Sequence, residues 1–166
     1  MKVSEKVSVI TKVLALVILF IFYITLFVRP LDITSGDLGR HLTNGKIIVQ
    51  SLMAHESVWP ILHTNFYSYT EPNFPFMNHH WATGVVFYLL FVVSGWAGLQ
   101  LFFTFISILT ISIFMYLGTK LTNFWLSFGT TFFLLPLITE RRMVRPELIS
   151  YLFLGLVLTI LWQYLE

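Results

Sequence analysis

Long runs without a charged side chain constrain this sequence more than any other feature does. The longest run extends from Trp81 to Thr119 and contains 39 residues. One straight helix of that length would measure about 58 Å at ~1.5 Å per residue, whereas the hydrocarbon core of a bilayer is ~30 Å thick. The run therefore predicts two membrane-associated helices, with a break at Ser94-Gly95 and Gly98.

The composition of the chain supports a helical membrane protein. Hydrophobic residues make up 57% of the 166 residues and charged residues only 11%, whereas soluble domains carry roughly 25% charged residues. The formal net charge of +2 comes without a basic stripe, so nucleic acid is not an expected partner. The chain contains no cysteine, which excludes disulfides and thiolate metal sites.

We predict an all-α fold that forms a single transmembrane domain over 1–166, with about four membrane-spanning helices and a short interfacial helix over 81–93. The predicted spans are 9–28, 97–119, 121–139 and 147–165. The first run is interpreted as an uncleaved span and not as a signal peptide, because it is long and no small-x-small cleavage site follows it.

A long external loop, 31–96, is predicted between the first two spans. Its part from Leu31 to Trp81 is the only long polar interval of the chain, and it holds all five histidines and Asp37. Ionisable side chains placed beside hydrocarbon are costly and are usually functional. We therefore interpret this interval as the water-side half of a membrane-embedded active site.

Within the loop, a helix is predicted to begin at Ser35-Gly36-Asp37, where Ser35 can act as a cap and Asp37 lies in the first turn. One face of this helix is expected to be apolar, and it consists of Leu38, Leu42, Gly45, Val49 and Leu52. Asp37, His41 and Asn44 follow on another face, at i, i+4 and i+7. We expect the helix to lie on the membrane with its apolar side down, presenting these three polar groups together.

Asp37 and His41 form a candidate catalytic or metal site. Side chains four residues apart meet on a helix. A carboxylate and an imidazole suit a divalent cation, with His79, His80 or Glu71 as a further ligand. In the alternative interpretation, Asp37 only interacts with the helix dipole and His41 only occupies an interface.

A second polar group stands at the start of the longest apolar run. Asn78, His79 and His80 directly precede Trp81, so they lie at the predicted membrane boundary. One interpretation is that they hydrogen-bond a polar substrate. The other is that they cap the following helix beside an interfacial tryptophan anchor.

A cluster of arginines separates the last two predicted spans. Arg141, Arg142 and Arg145 stand there, flanked by Glu140 and Glu147. Guanidinium groups grip phosphate in a bidentate manner, so three of them near hydrocarbon suit a lipid-linked phosphate or pyrophosphate. The alternative is that they bind lipid headgroups or pair with the two glutamates.

Taken together, these motifs resemble a known family. They are Gly36-Asp37-Leu38-Gly39-Arg40-His41-Leu42-Thr43-Asn44-Gly45, Phe66-Tyr67-Ser68-Tyr69-Thr70, Asn78-His79-His80-Trp81, Gly95-Trp96-Ala97-Gly98-Leu99 and Arg145-Pro146-Glu147. The set is similar to the N-terminal part of bacterial and archaeal membrane proteins of the glycosyltransferase C superfamily, which includes mannosyltransferase-like enzymes. The resemblance covers most of the chain from about Asp32 onward.

The resemblance implies a membrane glycosyltransferase that moves a sugar from a polyprenyl-phosphate donor to an acceptor hydroxyl on the external face. Asp37 takes the position of the catalytic base or metal-associated acid. Other residues match recurring polar positions without an assigned role: His41, Asn78, His79, His80 and Arg145. Two departures stand out, because Leu38-Gly39-Arg40 replaces aromatic residues and His80 stands where an acid is common.

The family has many more spans, so the chain is expected to be the N-terminal portion of a longer protein. The resemblance also implies a prokaryotic plasma membrane and a cytoplasmic N-terminus. Four basic residues then lie inside and six outside, against the positive-inside tendency. Asp37 and the arginine cluster are expected on the same side in either orientation. The competing hypothesis is a non-catalytic membrane protein that binds lipid or a partner chain.

Overall fold

The computed structural model of the chain describes residues 3–28, 37–65, 67–71, 74–140 and 145–165. All regular structure in these ranges is helical, as the sequence predicts. The helices are α1 (Val3–Phe27), α2 (Leu38–Met53), α3 (Trp59–His63), α4 (Trp81–Leu121), α5 (Phe124–Glu140) and α6 (Glu147–Leu165). They form two compact units, one of Met1–Pro30 with Leu101–Glu166 and one of Leu31–Gln100, called unit 1 and unit 2 below.

Three of the helices are long and apolar enough to cross a membrane. They are α1 from Val7 onward, α4 and α6. The predicted span over 121–139 differs from the structure at its start, because Leu121 belongs to α4 and α5 begins at Phe124. With 17 residues, α5 measures about 26 Å and is shorter than the ~20 residues of a typical span.

The predicted break in the longest run is confirmed. Within α4, Gly95 has the non-helical backbone angles φ 62° and ψ −158°. This region of backbone space is essentially restricted to glycine, because a Cβ atom would clash there. Gly95 thus divides α4 into two helical stretches, the first beginning at Trp81 and the second ending at Leu121.

In unit 1, α1 packs alongside α5 in a parallel direction. Lys12 near the start of α1 places its Nζ atom 5.6 Å from the ring centre of Phe124, at the start of α5. Further along both helices, the rings of Phe22 and Phe132 stack with their centres 4.8 Å apart. The buried face of α1 repeats every four residues, as an α-helical packing face does, and consists of Ala15, Leu19, Tyr23 and Phe27.

Small residues allow the other helices of unit 1 to approach closely. A Cβ atom on Gly118 of α4 would lie 2.5 Å from Oγ of Ser127 in α5, and that hydroxyl donates a hydrogen bond to the Met115 carbonyl at 2.9 Å. Gly155 of α6 packs in the same way against Ile113 of α4. Close contacts at small residues are characteristic of helix packing in membranes.

In unit 2, two glycines form the crossing point of α2 and α4. A Cβ atom on Gly45 would clash with the backbone carbonyl of Gly84, and a Cβ atom on Gly84 would lie 2.8 Å from the carbonyl oxygen of His41. The two backbones therefore touch, and the apolar side chains of Leu38, Ile48 and Phe87 are buried around the contact.

Candidate functional site

The Asp37 carboxylate lies at the N-terminus of α2 and faces solvent. Asp37 occupies the N-cap position, but its side chain makes no capping hydrogen bond. Its Oδ2 atom pairs instead with Nη2 of Arg40 at 3.2 Å, and 58% of its side chain is exposed. An ion pair this exposed contributes little to stability, and it leaves the Asp37 carboxylate accessible to solvent.

His41 lies on the packed face of α2. It is only 3% exposed, and its ring centre is 5.7 Å from that of His80 and 6.0 Å from that of Phe87. Both contacts are edge-to-face, a favourable aromatic geometry. The histidine is thus enclosed between α2 and the first turns of α4.

The prediction that α2 presents Asp37, His41 and Asn44 together is therefore wrong. Its buried residues are Leu38, His41, Asn44, Gly45, Ile48 and Ser51, whereas Leu52 of the expected apolar face is 55% exposed. The close approach of Gly45 to Gly84 determines which face of α2 contacts α4. It brings Asn44 and His41, one and four positions before Gly45, into the interface. As a result Asp37 is exposed, while His41 and Asn44 are buried.

Asn44 is held by a tyrosine that the sequence analysis did not assign to the site. The Tyr67 hydroxyl donates a hydrogen bond to Oδ1 of Asn44 at 2.8 Å. Burial raises the pKa of the Tyr67 phenol above its ordinary value, while the positive charge of Arg40 opposes this shift. Tyr67 therefore acts as a neutral donor, and it connects the segment after α3 to α2.

Asn78 is the third buried polar residue of unit 2 that the sequence singled out, after His41 and Asn44. It is 6% exposed, and its backbone N–H donates to the carbonyl of Leu62 at 2.8 Å, which ties the start of α4 to α3. Its side-chain Nδ2 atom is buried without a hydrogen-bond partner in the described part of the chain. A buried amide N–H without a partner favours the binding of a group that accepts a hydrogen bond.

The two adjacent histidines differ in exposure. His79 is exposed, and its Nδ1 atom lies 3.2 Å from the Met77 carbonyl. His80 is half-buried, and its ring lies between those of His79, at 4.0 Å, and His41. The structure thus brings His41, His79 and His80 into a row that runs from the interior of unit 2 to its surface.

The described residues do not assemble a metal site. Within those ranges, no group of three or more histidine and acidic side chains is close enough to hold a metal ion. Asp37 and His41, the predicted metal pair, lie on differently exposed faces of α2, and Glu71 does not join them as a third ligand.

Arg145 belongs to unit 1, where it precedes the first turn of α6. It is exposed, and together with Glu147 it lines a cavity that also contacts Phe27 at the end of α1. Arg145 therefore lies at the end of unit 1 where α1 leads into the loop. The other two predicted phosphate-binding residues, Arg141 and Arg142, lie outside the described residues.

One sequence signal could have revealed the packing around His41. His41 and His80 are each followed by a glycine four residues later, at Gly45 and Gly84, and the two glycines make the backbone contact described above. A histidine one turn before a helix-crossing glycine is placed beside the crossing, since i and i+4 share a face.

No protein-family model, curated protein or solved structure matches this chain.

Proposed function

We propose that this chain is the N-terminal part of a membrane glycosyltransferase. It would move a sugar from a polyprenyl-phosphate donor to an acceptor hydroxyl on the external face of a prokaryotic plasma membrane. The observation that carries the proposal is the Asp37 carboxylate, which is exposed at a helix start, unused as a cap and held by Arg40. It is supported by the buried polar groups of His41, Asn44 and Asn78 in the same unit.

In this proposal Asp37 acts as the general base. Its carboxylate takes the proton of the acceptor hydroxyl while the oxygen attacks the anomeric carbon, and the lipid phosphate leaves with the bonding electron pair. Arg145, with Arg141 and Arg142, would hold the leaving phosphate. Asn78 and the row of histidines would hydrogen-bond the sugar or acceptor. A divalent metal at Asp37 and His41 stays a prediction, and within the described residues no third histidine or acidic side chain joins these two.

The proposed topology has four spans and a cytoplasmic N-terminus. Three helices meet the length and hydropathy of a span. We add α5 as the fourth, although it is short, because it packs parallel to α1 and its Ser127 contacts Gly118 of α4. In this proposed topology Lys12 and Lys120 would lie at the cytoplasmic end and Arg145 at the external end.

A transfer assay with the full-length protein tests the proposal. The protein is reconstituted in liposomes with a radiolabelled polyprenyl-phosphate sugar and a hydroxyl acceptor, and transfer of label to the acceptor is followed over time. We expect time-dependent transfer that Asp37→Asn abolishes. If Asp37→Asn transfers as fast as the unaltered protein, the competing hypothesis of a non-catalytic lipid- or partner-binding protein is favoured.

A further inference from the structure

Unit 1 contains a partly open cavity lined by residues of α1, α4, α5 and α6. Its volume is about 840 Å³, within the ~300–1,000 Å³ of typical ligand pockets. Most of its wall consists of branched and aromatic side chains, including Phe27, Ile111, Phe114 and Leu134. This is the lining expected of a site for hydrocarbon.

Two hydroxyl groups in the wall, those of Thr110 and Ser127, need no polar ligand. Thr110 donates to the Ile106 carbonyl at 2.8 Å and Ser127 donates to the Met115 carbonyl at 2.9 Å. Because these two hydroxyls are already satisfied by helix backbone, an apolar chain beside them leaves neither donor unpaired.

The shape of the cavity suits a lipid tail. Leu126 and Ile138 both line it, and their separation along α5 corresponds to about 18 Å. One leaflet contributes roughly half of the ~30 Å hydrocarbon core, so the cavity is at least as long as a leaflet is deep. Both residues are also exposed at the surface of unit 1, which allows a chain to enter sideways from the bilayer.

Charge is confined to one end of the cavity. Among the described lining residues, Arg145 and Glu147 are the charged ones, and they stand two positions apart at the start of α6. A guanidinium binds phosphate through a planar fork, and a carboxylate accepts charge-assisted hydrogen bonds from a primary ammonium. A headgroup that carries both groups matches this pair, whereas a purely anionic headgroup would meet the negative charge of Glu147.

We propose that the cavity binds a phospholipid of the ethanolamine type, with an acyl chain along α5, the phosphate on Arg145 and the ammonium on Glu147. Choline lacks the N–H donors that a carboxylate needs, and a glycerol headgroup lacks the positive charge. The inference goes beyond sugar transfer and does not need Asp37. It shares Arg145 with the proposed donor site, and Glu147 distinguishes the two ligands.

The test is equilibrium binding to the delipidated full-length protein in detergent. Spin-labelled phospholipids with identical acyl chains and ethanolamine, choline or glycerol headgroups are compared, together with a polyprenyl phosphate. We expect the ethanolamine lipid to bind about tenfold more tightly than the other two phospholipids, equivalent to ~1.4 kcal/mol. Glu147→Gln should abolish the preference over choline, and Arg145→Ala should weaken binding of all three phospholipids.

Two variants that each introduce a large side chain test where the lipid binds. Thr131 lines the cavity, so Thr131→Phe should reduce binding of every lipid. Thr159, in α6, bonds its own helix at the Gly155 carbonyl and is not part of the lining, so Thr159→Phe should leave binding unchanged. Thermal unfolding of both variants shows whether each is folded.

Three results would overturn the inference. The first is tighter binding of polyprenyl phosphate or of the glycerol lipid, with a preference that Glu147→Gln leaves unchanged or strengthens. The second is equal binding of the three phospholipids. The third is the absence of saturable binding. Asp37→Asn separates this inference from the transfer proposal, because it should abolish transfer while leaving the lipid preference intact.

Discussion

At the scale of single residues, two glycines determine which polar groups of α2 are buried. Helical periodicity predicted that Asp37, His41 and Asn44 share one face of α2, but the structure exposes Asp37 and buries His41 and Asn44. The periodicity misplaced the packed face, because a hydropathy pattern counts glycine as one weakly apolar residue among others. Glycine matters here for its missing side chain, which lets Gly45 and Gly84 bring two backbones into contact.

Gly45→Ala should destabilise the protein. The new methyl group would overlap the Gly84 carbonyl, and overpacking of this kind costs ~1–3 kcal/mol. Gly39→Ala is the matched control in the same helix, since nothing lies within 4 Å of its Cβ position, and it should be neutral or stabilising by up to ~1 kcal/mol. Thermal unfolding in detergent measures both. Equal melting temperatures for the two variants would contradict the crossing.

At the scale of helices, the break in α4 was predictable and the start of α5 was not. Ser94-Gly95 interrupts a run too long for one span, and the break is where the sequence placed it. Thr122 and Asn123 were read as part of a continuous apolar run because neither is charged. Asn123 in fact accepts a hydrogen bond from the Leu126 N–H at 3.0 Å, the capping interaction that begins α5.

Gly95→Ala tests the break. The Cβ position of Gly95 has no atom within 4 Å, so the cost comes from the backbone angles alone and should be ~1–3 kcal/mol. Gly129 in α5 is equally uncrowded but its φ is not positive, so Gly129→Ala should instead stabilise by up to ~1 kcal/mol. Chemical unfolding in detergent compares the two. An unchanged stability for Gly95→Ala would mean that α4 passes through this point as a regular helix.

At the scale of the whole molecule, the sequence predicted an all-helical chain with membrane-length helices. The length of each uncharged run can be counted in the sequence and compared with the thickness of a bilayer. The four-span count depends on α5, whose length alone does not establish that it crosses a bilayer. The glycines four residues after His41 and His80 are the one sequence signal for the packing of α2 against α4. The contact of Tyr67 with Asn44 has no such signal, because it joins residues 23 positions apart through a segment without regular structure. Hydropathy specifies which segments avoid water but not which segments touch.

Cysteine labelling tests the topology, since the chain contains no native cysteine. Ser57 and Thr122 are both exposed and outside the membrane-length stretches. An impermeant maleimide should label Ser57→Cys from outside the cell and Thr122→Cys only from the cytoplasmic side. Ser112→Cys, within α4, serves as the control that neither side should label. Labelling of Ser57→Cys and Thr122→Cys from one side would refute the proposed crossing of α4.

The kinetics of Asp37→Asn in the full-length protein test the central claim most directly. The substitution keeps the size of the side chain and removes the charge, so a general base predicts a loss of kcat of ~10²-fold or more, with membrane insertion and donor binding retained. Glu56→Gln is the matched control, because Glu56 is another exposed acid of unit 2, and it should leave kcat unchanged. Near-normal kcat in Asp37→Asn, or an equal loss in Glu56→Gln, would contradict the assignment of Asp37 as the base.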